Sequence, residues 1–127
     1  MTYGFSRSVN MPFDAAVEKV TTELQKEGFG VLTTIDVSDT LKKKLNVDFK
    51  RYKILGACNP TFAYKALEAE EEIGLLLPCN VAVYEKNGQI VVAAFDPMVM
   101  TRLMENSAIE PIAVEVKQRL ERVIAAV

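Results

Sequence analysis

The stretch CNVAVYEKNGQIVVAAFD, residues 79–96, constrains the chain more than any other. Two alternating segments flank Asn87-Gly88, a dipeptide that closes a tight hairpin because both positions tolerate positive φ. Any fold of this chain therefore has to accommodate an antiparallel pair of strands near its C-terminal third. The segments on either side read as alternating strands and helices. TYGFSRSV predicts a strand with Tyr3, Phe5, Arg7 and Val9 on one face, Arg7 interrupting an otherwise apolar row. The following helix places Phe13, Ala16, Val17, Val20 and Leu24 on one stripe and stops at Gly28.

VLTTIDV predicts a second strand, with Val31, Thr33 and Ile35 on one face. Ser38 is then expected to cap a short helix that buries Leu41 and Leu45 and turns Lys42, Lys43 and Lys44 to solvent. YKILGAC is a third strand, and Asn59 is placed to cap the helix opened by Pro60. Beyond the hairpin, Asp96-Pro97 starts a helix through Met104. A last helix from Pro111 carries Ile112, Val116, Leu120, Val123, Ile124 and Val127 at helical spacing, for packing on the sheet or for a homodimer contact. The order β-α-β-α-β-α-β-β-α-α predicts an α+β two-layer sandwich: one mainly antiparallel or mixed sheet with helices on one face, residues 1–127 forming a single domain. A three-layer α/β arrangement is the alternative.

Composition sets limits on function. At 127 residues the chain is long enough to fold without a disulfide or metal. Fifteen basic against 17 acidic residues leave a net charge of -2, which creates no global field for nucleic acid or a membrane surface. The N-terminus lacks a signal-peptide core and no window reaches the roughly 20 apolar residues of a membrane span. A cytoplasmic protein is the expectation, with Cys58 and Cys79 as reduced thiols. The chain contains no histidine. That removes Ser-His-Asp and Cys-His nucleophiles, histidine-ligated haem and the usual histidine-bearing zinc sites.

The runs ILGACNP, EEEIGLLLPCNVAVYE and FDP, together with EGFGVLTTIDV and LKKKLNVDFKRYKILGACNP, resemble the family catalogued as domain of unknown function 302, a group of small bacterial and archaeal proteins. The matching residues are Gly56, Cys58, Asn59 and Pro60, then Leu77, Pro78, Cys79 and Asn80, then Glu85, Asp96 and Pro97. The resemblance implies a small α+β domain that self-associates, with no reaction to transfer.

No catalytic residue is assigned from the sequence, no cofactor is expected, and whether the chain is an enzyme is left open. The thiol and ligand candidates are Cys58, Asn59, Cys79, Asn80 and Asp96. The reading is a homodimeric ligand- or partner-binding protein; the alternatives are thiol-dependent redox or sulfur handling by Cys58 and Cys79, and a soft-metal site of Cu(I) or zinc drawing on Cys58, Cys79, Met98 and Met100. Whether the cysteines meet depends on Gly74–Pro78. Extended, these residues bring Cys79 back beside Cys58; as a turn, they start a parallel strand about 20 Å away.

Overall fold

The computed structural model describes residues 2–127. Five strands form one sheet in the order β1-β5-β4-β3-β2, every neighbouring pair antiparallel. The strands are β1 (Gly4–Val9), β2 (Gly30–Asp36), β3 (Tyr52–Cys58), β4 (Cys79–Lys86) and β5 (Gln89–Phe95). The helices are α1 (Phe13–Lys26), α2 (Val37–Leu45), α3 (Pro60–Ala69), α4 (Val99–Leu103) and α5 (Ile109–Ala126), with a 3-10 turn at Glu71–Leu76 between α3 and β4. This is the predicted α+β order, and the sheet is wholly antiparallel.

The β4–β5 hairpin turns at Asn87 and Gly88, whose φ angles of 52° and 77° give the two positive values such a turn needs. From β4 and β5, Val81, Val83, Val92 and Ala94 enter the core, and Ala16, Val20 and Leu24 of α1 and Val116, Leu120 and Val123 of α5 close over them. Helix α1 ends as its sequence predicts. Gly28 sits at φ 87°, which lets the Phe29 amide donate back to the Leu24 carbonyl.

Helix α5 is a core element, and its apolar stripe is spent inside the fold: Ile109, Ala113, Val116, Leu120, Val123 and Ile124 are all buried. Its use as a dimer contact is thereby overturned. The charge that interrupts the apolar row of β1 is explained at the far end of the same helix. Arg7, on the core side of edge strand β1, donates to the carbonyls of Ala125 and Val127 at 2.6 and 3.1 Å, so its charge meets the negative end of the α5 dipole.

Three local expectations fail, each for a physical reason. A bulge between Val31 and Thr33 inserts Leu32, so Val31 faces Ala57 while Thr33 faces Gly56, and the predicted shared face is split. The cap of α2 is Asp36, whose carboxylate accepts from the Asp39 amide at 2.9 Å and from the Ser38 hydroxyl at 2.8 Å. These bonds hold the Asp36 carboxyl below its ordinary value. Finally, α2 buries no residue and Leu45 is 66% exposed, because the helix lies at the β2 end of the sheet, away from α1 and α5.

Candidate functional site

Two apolar clusters share the molecule. The larger lies between the sheet and helices α1 and α5; the smaller gathers Ala66, Ile73, Met100 and Ile109 around the 3-10 turn. Between them lies a cavity of ≈280 Å³. Its walls come from α3, from the start of α5, from the facing ends of β3 and β4, and from Phe29. Leu32 and Leu67 also line it and are 67% and 42% exposed, which places an opening between the β2 bulge and α3.

The cysteines meet at this cavity. Cys79 pairs with Ala57 across β3 and β4, one residue from Cys58, and both thiols line the wall. The sequence alternative for Gly74–Pro78 is resolved in an unforeseen way: the segment is a turn, yet the strands are antiparallel and the cysteines adjacent. A 3-10 helix rises about 2.0 Å per residue. Six such residues followed by extended Leu77 recover most of the length that α3 retreats, which a tighter turn could not do.

Cys58 is partly exposed, Cys79 is buried, and neither forms a disulfide. Burial pushes the Cys79 thiol up to about 11, with the neighbouring Cys58 adding to the rise. At neutral pH Cys79 is therefore a neutral, poorly nucleophilic thiol. The folded state keeps this proton to higher pH than the unfolded chain, so the associated stability is intact below pH 9 and falls as pH rises towards 11. The loss reaches on the order of 3 kcal/mol. Thermal unfolding between pH 8 and 11 should show this decline, and Cys79→Ala should flatten it; an identical decline in the variant would assign it to other groups.

Asn59 occupies the cap position of α3 without capping it. Its side-chain nitrogen donates instead to the Glu27 carbonyl at 3.3 Å, at the end of α1. The same carbonyl accepts from Arg119 Nη1 at 2.9 Å, and the Glu27 carboxylate pairs with Arg122 at 2.8 Å. The Arg122 bond is the main reason the Glu27 carboxyl is held below its ordinary value. Gly28 makes this convergence sterically possible, since a Cβ there would stand 3.0 Å from the Asn59 amide nitrogen. Arg119 also lies over the ring of Phe62, a cavity wall residue, at 5.1 Å. The sequence gives no warning of this cluster, because its members are far apart in the chain.

The structure thus brings Cys58, Asn59 and Cys79 to one cavity and leaves two candidates outside it. Asn80 is exposed on the opposite sheet face, across from Gly56. Asp96 accepts from the Met98 amide and pairs with Lys117, each at 2.9 Å, but it does not cap the helix: α4 begins only at Val99, with Met98 at the cap position and no side-chain cap. Among the metal candidates Met100 lines the cavity with the cysteines and Met98 does not. Among the described residues no three His, Cys, Asp or Glu side chains converge as a metal cluster. Of the wall residues, Phe62 and Ile73 were legible only as a helix-face and a short apolar position, and Ile109 and Ala113 not at all.

The family's sequence profile, described as domain of unknown function DUF302, matches residues 5–127. The chain belongs to the DUF302 family. A crystal structure of an uncharacterised conserved DUF302 protein from Bacillus stearothermophilus is similar to this one, with a TM-score of 0.92 and 28% sequence identity over 99% of this chain and 98% of that one. No curated protein matches the chain. Among the described residues of this DUF302 protein no helix is long and apolar enough to cross a membrane.

Proposed function

We propose that this DUF302 chain is a single-domain, cytoplasmic, homodimeric protein that binds a small apolar molecule in the cavity between α3, α5 and the β3–β4 ends. The observation that carries the reading is the chemistry of the wall. Its residues are aliphatic or aromatic, apart from two thiols, the Met100 thioether and the Asn59 amide, whose nitrogen already serves Glu27. Such a wall offers dispersion contact and expulsion of water, with little to orient a polar or charged body. Unpaired Cys58 and Cys79 support a reducing compartment.

Size narrows the ligand. An engineered apolar cavity of about 150 Å³ takes up benzene. A space nearly twice as large suits a bicyclic hydrocarbon or a chain of about eight to twelve non-hydrogen atoms. Naphthalene and 1-octanol are therefore expected to raise the thermal midpoint with the logarithm of ligand excess, while glycerol leaves it unchanged. Calorimetric titration should show a negative heat-capacity change. Absence of both signals for every apolar probe of this size would remove the reading. Turnover of a bound probe that is lost on one substitution would replace binding by catalysis.

A further inference from the structure

The sheet has a second face, and its composition is unusual for a surface in water. Helices α1 and α5 take the face bearing Val81, Val83, Val92 and Ala94. The residues alternating with these point the other way. Pairing aligns Ile35, Ile54, Ala82, Ala93 and Ser6 into one row that crosses all five strands. Beside that row Tyr52 pairs with Tyr84, the two rings stacked at 5.0 Å between centroids. Of the residues that alternate onto this face, Lys86 alone is charged, and it sits at the hairpin end, where Lys50 from the loop before β3 stands over the Tyr84 ring at 5.1 Å. A quarter of the whole chain is charged, so a solvated surface of this extent should carry several charges.

Depletion of charge with retention of tyrosine is the mark of an interface centre. The relief fits the same conclusion. Ala82 and Ala93 floor a shallow groove of ≈350 Å³, with Tyr52 and Tyr84 on one side and Tyr3 and Phe95 among its other walls. An alanine floor beside an aromatic ridge is a shape that another sheet can approach closely.

We infer that the open sheet face, centred on Ala82 and Ala93, binds the same face of a second copy of this chain. The inference rests on the homodimer reading above and assigns its surface. Area and charge both select a second copy. Five strands spaced about 4.8 Å apart, each about 20 Å long, present a plan area of about 500 Å² before side-chain relief is added. With the exposed flanks of Tyr3 and Phe49, this approaches the roughly 800 Å² per partner of a stable dimer. The uncharged centre around Ala82 and Ala93 offers nothing for phosphates or a charged peptide to pair with, whereas two copies can bring these centres together while Lys50 and Lys86 stay at the hairpin end. In a two-fold arrangement the tyrosine ridge of each copy lies over the alanine floor of the other, with the sheets about 10 Å apart.

The test is sedimentation of the intact chain at about 1 to 100 µM, bracketing a micromolar dimer. The wild type should sediment at twice the 14.1 kDa chain mass. Ala93→Lys places like charges across the two-fold and should weaken the dimer about a hundredfold or more. Ser6→Lys, at a more exposed position of the same row, should act in the same direction and protects the test against misfolding of the Ala93 variant. A wild type that stays monomeric throughout overturns the homodimer reading and this inference together. A dimer whose dissociation constant neither substitution changes overturns the assignment of this face alone.

Discussion

Gly56→Val is expected to cost about 3 kcal/mol of stability, the upper end of what overpacking a filled interior does. That is a large share of the 5 to 15 kcal/mol holding a typical domain together. Gly56 lies in β3 between Thr33 of β2 and Asn80 of β4. A Cβ built there would overlap the Thr33 hydroxyl and stand 2.8 Å from Cγ of Pro78. Neither neighbour yields easily: threonine is β-branched with few rotamers, and the proline ring is fixed to the backbone. Because Pro78 leads into Cys79 and lines the cavity, pushing it aside also disturbs the β3–β4 end where both thiols sit.

Urea denaturation would measure the loss as a shift in midpoint. Gly30→Ala is the control, since a Cβ at that position meets nothing within 4 Å, and its effect should be a few tenths of a kcal/mol. Combining Gly56→Ala with Thr33→Ala should recover part of the loss of Gly56→Ala alone, a coupling between contacting sites. Full tolerance of valine would mean that Thr33 and Pro78 do not fold over the strand as described.

What could be read in the chain was what local chemistry decides. The Asn87-Gly88 turn, the Gly28 stop and the α1 and α5 stripes each depend on residues within a few positions of one another. The misreadings share the opposite property. Leu32 looked like an alternating strand residue, and only pairing with β3 shows it to be the bulge. Asn59 looked like a cap for the helix beside it, yet its amide was recruited by Glu27, a residue in another helix's last turn. Arg7 looked like a flaw in a strand until the end of α5 arrived beside it. The cavity was hidden for the same reason: Ala66, Ile73 and Ala113 are ordinary inward-facing positions, and the space they leave belongs to none of them.

Ala66→Leu and Ala113→Leu are expected to separate a binding cavity from a packing defect by the signs of two effects. Both alanines are buried, one on α3 and one on α5, and both line the cavity. Leucine keeps good helix propensity and adds three carbons into the open space. Apolar walls that face open space lack packing contacts on that side, which added carbons would supply. Each substitution should therefore leave stability unchanged or raise it by up to about 2 kcal/mol, seen as a higher thermal midpoint. Each should also weaken naphthalene binding at least about tenfold, because its atoms occupy the ligand's volume. A trade of that kind, stability gained as affinity is lost, is what a site kept open for a ligand predicts. Should the variants gain stability while no probe binds the wild type, the space is a defect of packing between two cores. Should they lose stability while binding persists, the probe sits elsewhere on the molecule, and the walls of α3 and α5 are closer together than an open site requires.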